Sequence, residues 1–78
     1  MHEYNICDQA DEELFHKQCR AIEGHIPDLL ADEPLRDVDG TLVQKYTHAK
    51  GTIKVKNDVQ TDALFVVADF DLLPYFKK

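Results

Sequence analysis

Serine is absent from this chain, and cysteine occurs only at Cys7 and Cys19. The missing serine removes every serine-nucleophile arrangement, because such a site needs a nucleophile, a base and an orienting group. The thiols remain, but without a secretory leader they are expected to stay reduced, in a cytoplasmic setting. Cys19 falls on an apolar stripe, where a free cysteine usually behaves as a small core residue. Long hydrophobic runs are also missing. The apolar run Ala-Leu-Phe-Val-Val-Ala at residues 63–68 is far short of the ~20 residues that span a bilayer. The opening segment, residues 1–13, is acidic and lacks the apolar stretch of a secretory signal, and its Met1 start fits a full-length cytoplasmic product. Glycine and proline number three each, and no low-complexity stretch occurs, so disorder is not expected.

What is present is short and ordinary in composition. The 78 residues, 44% apolar and 31% charged, make one domain spanning 1–78. A core of that size supplies about 3–5 kcal/mol of net stability. A large internal active-site cavity is therefore not expected, and function is expected on a surface, a sheet edge or an oligomer interface.

The net charge of -6 is unevenly placed: residues 1–39 carry -8 and residues 40–78 carry +2. This balance argues against a nucleic-acid binder, which needs a basic footprint. A basic partner would be steered toward the acidic half.

Periodicity predicts a helix over residues 9–23. Asp8 is the expected N-cap, Asp11, Glu12 and Glu13 suit the first turn, and Gly24 with Pro27 should end it. Phe15, Cys19 and Ile22, widened by Leu14, form its apolar stripe. Residues 27–36 read as a connector in which Leu29 and Leu30 tuck onto the core, in one turn of helix. Asp39-Gly40 signals a hairpin between a short strand at 35–38 and residues 41–48. Ile53 and Val55 alternate with lysines in the next strand. The unbroken apolar run at 63–68 suits a strand covered on both faces, away from an exposed edge. The tail, from Asp69 to Phe76, is rich in large apolar residues, and Pro74 limits it to a turn of helix beginning near Asp69. The expected fold is α+β: one N-terminal helix on a three- to four-stranded antiparallel meander, with a short C-terminal turn or helix that covers part of the other sheet face.

The sharpest local motif is Asp37-Val38-Asp39-Gly40-Thr41-Leu42-Val43. It resembles the first motif of haloacid-dehalogenase-type phosphatases, which implies Asp37 as nucleophile and Asp39 as general acid/base in a parallel, Rossmann-like domain. The resemblance covers these residues only. The preceding Glu33-Pro34-Leu35-Arg36 is not an apolar strand, and a hairpin turn accounts for Asp39-Gly40. A calcium loop fails because Leu35 and Tyr46 would stand at ligand positions. Cys7, His16, Cys19 and His25 match no standard zinc spacing, so no metal or cofactor is expected. Lys45, Lys50, Lys54 and Lys56 cluster on the central hairpin and read as protection against edge-to-edge pairing.

The function expected from these observations is a small acidic protein-binding module, not an enzyme. An inhibitor or immunity-type protein covering a basic nuclease or toxin fits best. Asp32, Glu33, Asp37 and Asp39 supply the charge, and Asp69, Phe70, Asp71, Tyr75 and Phe76 supply aromatic anchors with a charged rim. The alternative is a homo-oligomeric structural or regulatory protein, of the kind that phages or mobile elements encode, with a homodimer built on a strand edge or on the tail. A metal-dependent enzyme is the remote third reading. No nucleic-acid or membrane partner is expected.

Overall fold

The computed structural model describes residues 2–76. Among them the element order is β1 (His2–Cys7), α1 (Glu12–His25), β2 (Leu30–Ala31), β3 (Leu35–Arg36), β4 (Leu42–His48), β5 (Gly51–Asp58), β6 (Ala63–Ala68) and α2 (Leu73–Phe76). The strands form one six-stranded antiparallel sheet in the order β1-β6-β5-β4-β2, with β3 also paired to β4. The class is α+β, as expected, with more strands than the three or four anticipated.

Alternation sets the layers. Leu42, Tyr46, Ile53, Val55, Leu64, Val66 and Ala68 are buried on one sheet face, and α1 lays Phe15, Cys19 and Ile22 against them. Each buried leucine, isoleucine, valine or phenylalanine among them is worth about 1.5–3 kcal/mol of burial. Tyr46 is fully buried, and its hydroxyl donates to Glu23 Oε2 at 2.6 Å, which ties the sheet to the outer side of α1.

The helix starts later and ends later than its periodicity predicts. Asp11, not Asp8, is the N-cap, accepting from the Leu14 N–H at 3.1 Å. The preceding segment is held out of the helix by bonds to residues distant in sequence: the Ala10 N–H donates to Asp62 Oδ1, and the Asp11 N–H donates to Asn57 Oδ1. Gly24 lies inside the helix. Ile26 continues the apolar stripe, is 1% exposed, and caps the end through its N–H to the Ile22 carbonyl.

Two strands were hidden in the sequence. β1 is an edge strand whose apolar content is thin. It is anchored by Tyr4, whose hydroxyl accepts from the Leu72 N–H and donates to Asp71 Oδ1, both at 2.9 Å. β2 falls within the expected connector, where Leu30 and Ala31 pair with Thr47 and Tyr46 instead of forming a helical turn. The anticipated strand at 35–38 is cut to Leu35–Arg36, because Asp37 already belongs to the turn. Pro34 separates β2 from β3, and the Gln44 side chain fills the break by donating to the Asp32 carbonyl at 2.6 Å.

β6 lies between β1 and β5, away from the edge. Only one of its faces is fully buried, however, since Phe65 and Val67 on the other side are half-exposed. The tail does not cover that side. Leu72 joins the core beneath α1, and Phe76 stacks on His25 at 4.8 Å, so the tail extends the helical layer. Its helix begins at Leu73 because Asp69 is engaged by Thr52, leaving the Asp71 carboxylate to accept the Leu73 N–H.

Candidate protein-binding surface

Three chain segments meet at one end of the sheet: the entry to α1, the β3–β4 turn and the β5–β6 turn. The Asp62 carboxylate accepts the Ala10 N–H at 2.8 Å. Thr41 Oγ1 accepts the Val59 N–H at 3.3 Å. Arg36 pairs with Glu12. These links gather Asp8, Asp11, Glu12, Asp37, Asp39, Asp58 and Asp62 at a common end, with Arg36 and Lys56 among them.

Several of these carboxylates are fixed by the backbone. Asp37 Oδ1 accepts the Val38 N–H at 2.8 Å, and Asp39 Oδ1 accepts the Thr41 N–H at 2.9 Å. The bond from the Thr41 N–H holds the Asp39 carboxyl below its usual range. Burial raises that of Asp58, but the Thr61 and Gln60 N–H groups outweigh it and leave Asp58 lowered as well. Gly40, at φ +93, makes the sharp reversal that returns the Thr41 carbonyl to the Asp37 N–H at 2.8 Å. A shallow depression beside the turn is lined by Arg36, Asp37, Asp39, Thr41, Lys56 and Asp58, among others.

The residues singled out from the sequence fall in three places. Asp37 and Asp39 belong to this acidic end. Asp32 and Glu33 are exposed along the β4 margin, between β2 and β3. Asp69, Phe70, Asp71, Tyr75 and Phe76 lie at the opposite end, around the β4–β5 turn and the end of α1. There His48 stacks on Phe70 at 5.2 Å, Tyr75 meets both rings edge-on, and the Lys50 ammonium sits 5.5 Å from the Tyr75 ring. Phe70, Tyr75 and Phe76 are half-buried. The acidic patch and the aromatic tail are therefore not one surface. Asp8, Asp58 and Asp62 were not singled out; no local pattern joins them to Asp37.

The chemistry implied by the phosphatase-like motif lacks its setting. Every strand pairing among the described residues is antiparallel, and Asp37 and Asp39 cap their own turn. Cys7, His16, Cys19 and His25 are not assembled either: among the described residues no group of three or more histidine, cysteine, aspartate or glutamate side chains is placed to hold a metal ion. Burial pushes the Cys19 thiol up, the Tyr46 hydroxyl partly offsets that, and the Glu23 charge adds to it, so Cys19 is a poor nucleophile. Among the described residues, no helix is long and apolar enough to cross a membrane.

The lysines need a different account from edge protection. Lys45, Lys54 and Lys56 stand on β4 and β5, which are interior strands, and Lys50 lies in the turn between them. Compared with known proteins, the chain matches no family model, no curated protein and no solved structure.

Proposed function

We propose that this chain is a small protein-binding module that presents its acidic end to a basic protein partner, in the manner of an inhibitor or immunity protein. The observation that carries this reading is the convergence of three acidic segments held by bonds across the fold, with carboxylates fixed before any partner arrives. Ordered charge of this kind steers encounter and loses little side-chain freedom on binding. The free thiols, half-buried Cys7 and buried Cys19, support a cytoplasmic setting. Neutralising the end with Asp37→Asn, Asp39→Asn and Asp58→Asn keeps each acceptor oxygen. These changes should slow association with the basic partner and flatten its dependence on salt; an unchanged rate would reduce the acidic end to a solvated face.

A second reading has its own observation. β1 is an edge strand, and beside it lies an open apolar groove lined by Tyr4, Ile6, Ala21, Leu72, Leu73 and Phe76, among others. Pairing of two β1 edges across a two-fold axis would give a homodimer that covers Ile6 and Leu73, which are 39% and 52% exposed. A concentration-dependent mass abolished by Ile6→Glu is the result that this reading requires.

A further inference from the structure

The sheet face turned away from α1 has a charge arrangement that its own fold does not explain. Register sets Lys45 directly opposite Lys54, and Lys56 between Val43 and Phe65. Opposed side chains in such pairs have Cβ atoms ~5 Å apart, where like charges destabilise a sheet. Among the described residues neither Lys45 nor Lys54 forms an ion pair, while Lys56 reaches Asp58 Oδ2 at 3.7 Å. Asp69 feels Lys45 only as a longer-range charge, its own oxygen being taken by Thr52.

Apolar side chains flank these lysines. Val67 neighbours Lys54, Phe65 neighbours Lys56, and Val43 lies on the other side; all are half-exposed. Leu35, opposite Val43 at the margin, is 66% exposed. A solvated face of an antiparallel sheet ordinarily turns polar, whereas this one combines unpaired cations with uncovered apolar surface.

We infer that this face docks an amphipathic helix of an acidic protein partner, with carboxylates on Lys45 and Lys54 and apolar side chains against Val43, Phe65 and Val67. Charge complementarity selects the occupant. A second copy stacked face to face would set lysine against lysine. A nucleic-acid strand would have to pass the carboxylates that bound the patch, Asp58 and Asp69 at its ends and Glu3 at its β1 margin. Residues one turn apart on a helix have Cβ atoms ≈ 5–6 Å from one another, close to the Cβ spacing of the opposed lysines. The layer completed is also the one the sheet lacks, since α1 already covers the opposite face of the same strands.

The test is a titration of the isotope-labelled protein, followed by amide shifts in nuclear magnetic resonance. The probe is a synthetic helical peptide with leucine along one face and glutamate beside it. Val43, Lys45, Lys54, Lys56, Phe65 and Val67 should shift. Lys45→Gln with Lys54→Gln should weaken binding about tenfold or more, as should replacing the peptide's glutamates with glutamine. The double variant should unfold at the same temperature as the parent or higher, because repulsion is relieved, so lost binding cannot be lost folding. Asp37→Asn with Asp39→Asn should leave peptide binding intact, separating this face from the acidic end. The inference is overturned if these amides do not move, or if Lys45→Gln with Lys54→Gln changes nothing. It is equally overturned if a single-stranded oligonucleotide shifts the same amides more tightly than the peptide, or if they shift with protein concentration alone, assigning the face to a second copy.

Discussion

Asp62 accepts the Ala10 N–H at 2.8 Å across 52 positions of sequence. That bond fastens the β5–β6 turn to the entry of α1, and with it one acidic segment to another. Asp62 is itself in the left-handed region, at φ 53. Asparagine tolerates that conformation and keeps the acceptor oxygen. Asp62→Asn should therefore unfold within about 0.5 kcal/mol of the parent, whereas Asp62→Ala, which strands the Ala10 N–H, should lose about 1–2 kcal/mol. Chemical denaturation of the two variants makes the comparison.

Gly51 opens β5 at φ +147, and a Cβ there would lie 2.8 Å from the Asp69 Cβ. Gly51→Ala combines strain with a backbone-proximal clash and should cost about 1–3 kcal/mol. Gly24→Ala is the control: nothing lies within 4 Å of its added methyl, and in the last turn of α1 it should stabilise by up to roughly 0.5 kcal/mol, less than at a mid-helix position.

Tyr46 supplies a pH prediction. Burial, reinforced by the Glu23 carboxylate, raises its pKa far above the ordinary 10.0. Below pH 10 the phenol is neutral in both folded and unfolded chains, and the stability tied to it is fully present. As pH climbs past 10.0 the unfolded chain ionises first, so stability falls. Tyr46→Phe should flatten that alkaline decline in unfolding midpoint, although a smaller slope should persist from Tyr4 and Cys19, which are also raised.

The tail separates core from surface within a few residues. Leu72 is 3% exposed, and Leu72→Ala should lose about 2–5 kcal/mol. Phe76 is only half-buried, stacked on His25, so Phe76→Ala should lose less than the 3–5 kcal/mol typical of a buried phenylalanine. Equal losses at both positions would place Phe76 in the core after all.

How far the sequence could be read depended on whether a signal was local. The Phe15, Cys19 and Ile22 stripe, the Asp39-Gly40 turn, the alternation around Ile53 and Val55 and the apolar run of β6 each announce themselves within a few residues. β1 did not, because an edge strand carries few apolar side chains, and its Tyr4 matters through Leu72 and Asp71, far along the chain. β2 is only two residues long and exists because β4 lies alongside it. Of the acidic end, Asp37 and Asp39 were visible in the turn. Asp62 joins them through its bond to the Ala10 N–H, which brings the segment carrying Asp8 alongside, and Asp58 joins them through the pairing of β4 with β5; no spacing encodes either.

Capture of partners from the source cell's lysate by the native chain and by the Asp37→Asn, Asp39→Asn, Asp58→Asn variant tests the central claim most directly. The account expects one stoichiometric basic protein bound to the native chain and lost from the variant, with both baits equally folded. The same proteins on both baits, or only the bait itself, would contradict it.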